Sequence, residues 1–159
     1  MRSLKMWAAL VALLAQTLFV CSCTQPTSSQ QASERKGIIS LAPHITETVF
    51  ALGQGNRVIA VSDFCDYPPE ASNLPKAGGY INPDLEKIAM LKPELVIVQG
   101  KHQAVADFGA MNKINVLNVD MDSLDGIDSG IAEIGKALGC ETKATELREK
   151  IRKELDSVS

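Results

Sequence analysis

From Gly37 onward, four short runs rich in β-branched residues alternate with stretches whose apolar residues fall at helical spacing. That alternation constrains the chain more than any other feature. Gly37-Ile-Ile-Ser-Leu-Ala42 reads as a strand, after which Ile45, Val49 and Leu52 recur at i, i+4 and i+7 until Gly53 supplies a helix stop. Arg57-Val-Ile-Ala-Val-Ser62 is the second strand, Glu94-Leu-Val-Ile-Val98 the third and Asn115-Val-Leu-Asn-Val119 the fourth. Between them, Asn82-Pro83-Asp84 predicts a helix start with Asn82 as N-cap and Pro83 at the first helical position. Leu85, Ile88 and Ala89 form the apolar face of that helix, Lys92-Pro93 ends it, and a short helix is expected around Val105 to Met111. Nearly continuous apolar strands joined by helices predict an α/β fold with a parallel sheet of about four strands, covered on both faces.

Two amphipathic helices follow. Ile127, Ile131, Ile134 and Leu138 mark the first, which ends at Gly139; Leu147, Ile151 and Leu155 mark the second, from Thr142 to Val158. Glu146 with Lys150 and Glu149 with Lys153 are spaced to form ion pairs along the second. Its apolar stripe needs a surface to cover and is otherwise an exposed liability.

The amino terminus is of a different kind. Arg2 and Lys5 precede an uncharged run from Met6 to Val20 and then Val20-Cys-Ser-Cys23, the layout of a secretory signal. The run is shorter than the roughly twenty apolar residues a membrane span needs and carries Gln16 and Thr17. Val-Cys-Ser-Cys resembles a bacterial lipobox, which makes Cys23 the expected lipidated first residue of an exported protein, tethered to a bacterial membrane on its periplasmic or extracellular face. Two acyl chains on one cysteine anchor stably where one is marginal. Residues 1–22 are then the signal peptide and 23–36, rich in Thr, Gln, Ser and Pro, a solvated polar linker. Removing Arg2 and Lys5 from the 16 basic residues leaves 14 against 19 acidic, a formal charge of −5, and no Lys or Arg run indicates nucleic acid. Beyond Cys23 only Cys65 and Cys140 remain. An oxidising compartment permits them to pair, and one buried and one exposed thiol is equally compatible.

Ligands bind open parallel sheets outside the carboxyl ends of the strands. That rule selects Pro43-His44, the stretch from Asp63 to Asn82, Gln99-Gly-Lys-His102 and Asp120-Met-Asp122. Both histidines lie in this set, as do Phe64, Tyr67 and Tyr80. Between Phe64 and Pro83 four prolines and two glycines stiffen the chain, and tyrosines on a stiff loop offer flat surfaces at low ordering cost; packing back on the loop's own helix is the alternative use. His44, Cys65, Asp66 and His102 have irregular spacing for a metal site, so none is expected. Gly53-Gln-Gly55 precedes a strand and lacks a third glycine, and neither a phosphate loop nor a Gly-x-Ser-x-Gly elbow occurs, so no enzyme is indicated.

Four blocks then carry a resemblance: Ile38-Ile-Ser-Leu-Ala-Pro-His-Ile-Thr-Glu-Thr-Val-Phe-Ala-Leu-Gly53, Asp66-Tyr-Pro-Pro-Glu70, Gly78-Gly-Tyr-Ile-Asn-Pro-Asp-Leu-Glu86 and Leu91-Lys-Pro-Glu-Leu-Val-Ile97. In order and spacing they resemble the amino-terminal lobe of the periplasmic binding proteins for vitamin B12 and iron chelates. The resemblance implies a receptor that captures a metal chelate between two lobes and delivers it to the permease of an ABC importer, with no catalysis and no resident cofactor. It implies an amino-terminal lobe over 37–122 and helices over 123–159 that include the start of a long interlobe helix. A complete member has a second lobe, so the resemblance also implies a truncated product with half of the cleft absent and a weakened hold on ligand.

Residue by residue, Tyr67 matches an aromatic lining the corrinoid pocket, Tyr80 stands at another aromatic contact, and Glu86 matches the acid that docks on permease arginines. Gln99 departs from an aromatic expected after the third strand. His44 on the cleft-facing loop, with Lys101 and His102, completes the expected ligand-binding set. A cobalamin receptor is the leading expectation. An iron-siderophore or haem lobe is its rival within the binding class, and a permease-docking module without solute binding the rival outside it.

Overall fold

The computed structural model describes residues 37–158, so the signal, Cys23 and the linker lie outside the described residues. The elements run β1 (Ile38–Ser40), α1 (Pro43–Ala51), a 3-10 turn (Gly55–Arg57), β2 (Val58–Val61), α2 (Pro69–Ser72), α3 (Leu85–Leu91), β3 (Leu95–Gln99), α4 (Gln103–Asn112), β4 (Asn115–Val119), α5 (Leu124–Leu138) and α6 (Glu141–Asp156). The four strands form one sheet in the order β2-β1-β3-β4, all parallel. The expected α/β lobe is present.

Alternation along the strands divides the core in two. Ile38 on β1 and Leu95 and Ile97 on β3 point to one face, where α1, α5 and the first half of α6 pack with Ile45, Val49, Ile134 and Ala144. Ile39, Val96 and Val98 point to the other, beneath α3 and α4, with Ile88 and Val105. Each fully buried Ile or Val contributes about 1.5–3 kcal/mol by leaving water, so the two clusters hold the sheet between its helical layers.

The rim-forming connection from β2 to α3 starts its helix later than expected. Asp84, not Asn82, is the N-cap, its Oδ1 accepting from the Lys87 N–H at 2.9 Å. Pro83 lies outside the helix because it is paired with Gly78 in an isolated antiparallel bridge, and the Asp84 N–H donates to Ala77 O at 2.9 Å. Gly78 has φ +88°, and a Cβ there would lie 2.5 Å from the Asp84 nitrogen, so only glycine closes this turn.

The carboxy-terminal helix differs more. α6 folds back along α5, so that Leu147 and Ile151 of its stripe pack against the first core cluster while Leu155 stays exposed as expected. Gly135 permits the approach: a Cβ built there would fall 2.3 Å from Ala144 Cβ. Neither expected ion pair along α6 forms. Lys150 meets Glu154 at 3.9 Å instead, while Arg148 donates to both carboxylate oxygens of Asp128 on α5 and Arg152 lies 3.4 Å from the same group. The long-reaching arginines find a carboxylate across the helix pair, and that fixes which way α6 lies.

Candidate functional site

The carboxyl ends of the strands carry four connections, and the longest, residues 62–84, is braced along its length. Ser62 N–H donates to Ser40 O, and residues 75–77 return beside β2 through Val61 N–H to Pro75 O and Ala77 N–H to Val61 O. Asp63 N–H donates to Gly78 O, and Lys76 Nζ reaches Cys65 O at 2.7 Å. Beneath it, Cys65 Sγ is fully buried, 3.0 Å from Ser62 Oγ and 3.1 Å from Thr46 Oγ1, which lies 2.8 Å from Ser40 Oγ. This small polar cluster fastens the excursion to β1 and to the first turns of α1. A buried hydroxyl or thiol without a partner costs about 1–3 kcal/mol, which explains why these four side chains occur together.

On this braced frame the aromatics stay open to solvent. Phe64, Tyr67 and Tyr80 are exposed to 69%, 65% and 41%, and Ile81 beside Tyr80 to 76%. A loop that used its rings to pack on itself would bury them. The rings are instead presented to solvent on the connection that leaves the carboxyl end of β2, Phe64 beside Gly79 and Tyr80 beside Gly100, and this exposed set is called the shelf below. Tyr80 lies over Gly100, whose φ of +63° turns the chain out of β3 and where a Cβ would lie 3.8 Å from the Tyr80 hydroxyl. His102, just before α4, joins the second and third connections through Nε2 and Ile81 O at 3.3 Å. Its Nδ1 is buried and has no hydrogen-bond partner. Lys101 is exposed beside it.

The first, third and fourth connections meet at Gln99. This last residue of β3 is only 6% exposed. Its Oε1 lies 2.9 Å from His44 Nε2 and accepts from Met121 N–H at 3.2 Å, and its Nε2 donates to Asp122 Oδ1 at 2.9 Å. The sequence marks Gln99 as the start of the third strand-end loop and as a departure from an aromatic, with no role of its own. Its bracketing role depends on partners 55, 22 and 23 residues away and leaves no local signal.

Of the sequence-predicted residues, Tyr67, Tyr80, Lys101 and His102 stand on the connections at this end of the sheet and His44 in the first turn of α1, and Tyr80 and His102 belong to adjoining segments bonded to each other. Glu86 is exposed in the first turn of α3. Cys65 and Cys140 are both free thiols, one buried and one half-buried, and burial together with the neighbouring Glu141 raises the Cys140 thiol above its ordinary pKa. Among the described residues no three His, Cys, Asp or Glu side chains gather as a metal site. Phe64, which belongs to the shelf by its exposure, is an addition to the predicted set.

Shallow depressions also lie elsewhere on the described residues, two of them along the apolar stripes of α5 and α6. One of about 250 Å³ runs between α5 and α6 along Leu124, Ile127, Arg148 and Ile151, and one of about 240 Å³ lies between α1 and that helix pair with His44 at its lip. Both are seams where helices cross; the first is also lined by Asp125, Asp128, Arg148 and Arg152, of which both arginines are engaged with Asp128, and the second is mostly apolar. The shelf combines stacking surface with polar groups from all four strand ends and is the better candidate.

Comparison with known proteins agrees with the fold. A periplasmic binding protein family model matches residues 38–159. A vitamin B12-binding protein of Pectobacterium carotovorum subsp. carotovorum (strain PC1) is 37% identical over 99 residues, covering 61% of this chain and 36% of that protein. Another, from Vibrio vulnificus (strain CMCP6), is 49% identical over 69 residues, covering 43% of this chain and 25% of that protein. The chain thus aligns with well under half the length of these curated relatives. Among solved structures, the periplasmic vitamin B12 binding protein BtuF of Vibrio cholerae superposes with a TM-score of 0.68 at 29% identity, covering 77% of this chain and 49% of that one. The periplasmic haem-binding protein RhuT from Roseiflexus sp. RS-1 does so at 0.69 and 32%, covering 77% and 48%.

Proposed function

Because the chain belongs to the periplasmic binding protein family, we propose that it is the solute-binding component of an ABC importer and that its solute is cobalamin or a related corrinoid. The open shelf of Phe64, Tyr67 and Tyr80 above the strand ends carries this reading: flat, rigid and apolar, it suits a planar macrocycle. His44, Lys101 and His102 border it and supply polar contacts. Glu86, on the exposed first turn of α3, meets the permease, and Cys23 holds the protein to the membrane. The lobe over 37–122 is one wall of the cleft, and α6 belongs to the helical connection out of it.

Haem is the alternative that the comparison with RhuT raises. The charge around the shelf favours the corrinoid. Asp63, Asp66, Asp120 and Asp122 are exposed on these connections against Lys101, while Lys76 is engaged with Cys65 O. Haem brings two propionate carboxylates into that field, whereas the corrin periphery is largely neutral amides that donate hydrogen bonds to carboxylates. Isothermal titration of the exported chain with cyanocobalamin and with haemin tests the choice. Saturable cyanocobalamin binding that is tighter than haemin binding is the expected result; the reverse order refutes the corrinoid reading.

A further inference from the structure

We propose that Gln99 is the positioning residue of the site, holding His44 as the Nε2–H tautomer so that its bare Nδ1 is offered as a hydrogen-bond acceptor to the solute. The donor and acceptor inventory leaves one solution. Met121 N–H can only donate, so the atom of Gln99 facing it at 3.2 Å is the carbonyl Oε1. The Asp122 carboxylate can only accept, so the amide nitrogen faces it at 2.9 Å. With the amide fixed from two sides, the His44 nitrogen 2.9 Å from Oε1 carries the proton. The other ring nitrogen is then unprotonated in the neutral ring. His44 itself is exposed, whereas Gln99 is buried. A buried amide therefore sets the hydrogen-bonding sense of an exposed ring.

The same three bonds tie the ends of β1, β3 and β4 together. The aromatic that the family resemblance leads one to expect at this position would supply stacking surface; the amide gives up that surface for control of His44. Its consequence for recognition rests on the corrinoid reading. An acceptor on an exposed ring at the carboxyl end of the sheet selects solute groups that donate, such as the primary amides of a corrin, over carboxylates.

The experiment is nitrogen NMR of the exported chain labelled with 15N-histidine at alkaline pH, where the rings are neutral. Only two histidines are present, and the signals lost in His44→Gln assign the ring. The expected wild-type spectrum has Nε2 protonated and Nδ1 bare. Gln99→Glu combined with Asp122→Asn, which keeps acceptors for His44 and Met121 and sets an amide donor opposite the new carboxylate, retains that signature; Gln99→Met converts it to a mixture of tautomers and raises the cyanocobalamin Kd by about fivefold to tenfold, the worth of one hydrogen bond. A protonated Nδ1 in the wild type overturns the proposal without any variant, as does an unchanged tautomer in Gln99→Met. Absence of cyanocobalamin binding by the wild type refutes the ligand reading instead, and the ligand-free spectra still decide the role of Gln99.

Discussion

Truncating Tyr67 should cost more solute affinity than truncating Tyr80, and the difference can be worked from their exposure. A tyrosine presents about 200 Å² of surface when fully open. At 65% exposure Tyr67 keeps about 130 Å² available, and a stacked macrocycle covers about half of it, or ~65 Å². At about 25 cal/mol per Å² that is ~1.6 kcal/mol, a rise in Kd of roughly 15-fold for Tyr67→Ala. Tyr80, at 41%, has ~80 Å² available and ~40 Å² to be covered, giving ~1 kcal/mol and roughly fivefold. Isothermal titration with cyanocobalamin measures both, with circular dichroism confirming that each variant keeps its fold. Neither tyrosine holds the core together, so unfolding midpoints should stay close to wild type. The reasoning fails if the order is reversed, or if neither substitution changes Kd by more than twofold.

Three further outcomes follow from the packing and the charges. Gly135→Ala gains roughly 1 kcal/mol of helix propensity but forces Ala144 off its 2.3 Å approach, an overpacking cost of about 1–3 kcal/mol, so urea unfolding should show a net loss of up to about 2 kcal/mol; a clear gain would mean that α6 is not seated there. Asp128 is held below the ordinary carboxylate range chiefly by the hydrogen bond from Arg148, so its stabilising contribution is full above the unfolded value of 3.8 and is lost as pH falls through the lower folded value. Asp128→Asn should therefore be less stable than wild type near neutrality and lose less on acidification below pH 4, which thermal unfolding at a series of pH values checks. Glu86→Ala should leave the cyanocobalamin Kd unchanged and lower solute-stimulated ATPase activity of the reconstituted permease; equal loss of both would place Glu86 in the solute site.

Much of the sheet is legible because its signal is local. The runs Ile38-Ile39, Val58 to Val61 and Leu95 to Val98 are apolar on successive residues, which marks a strand buried on both faces. The short helix Pro69–Ser72 is not legible: four residues give no periodicity, and in a proline-rich stretch they read as loop. The start of α3 departs from expectation because Asn82-Pro83-Asp84 contains two acceptable caps, and the bridge from Pro83 to Gly78 chooses between them. The fold-back of α6 rests on Ala144, Leu147 and Ile151 meeting the core past Gly135 and on Asp128 reaching two arginines on the other helix, pairings no single helix pattern contains. At the candidate site, the rule that ligands meet the strand ends selects the segments that carry His44, Tyr67, Tyr80, Lys101 and His102, and the fold places those segments at the carboxyl end of the sheet. It includes Gln99 in the third connection but gives it no role, since a buried polar residue that ends an apolar strand looks like a boundary until its partners are known.

The central claim is that solute meets the chain on the shelf above the strand ends, not in the seam between α5 and α6. Hydrogen exchange of the exported chain with and without cyanocobalamin tests it most directly. The account predicts added protection in peptides spanning 62–84 and 99–102, with 124–131 and 148–155 unchanged. Protection confined to Leu124–Ile131 and Arg148–Leu155, with the shelf peptides unaffected, would contradict it.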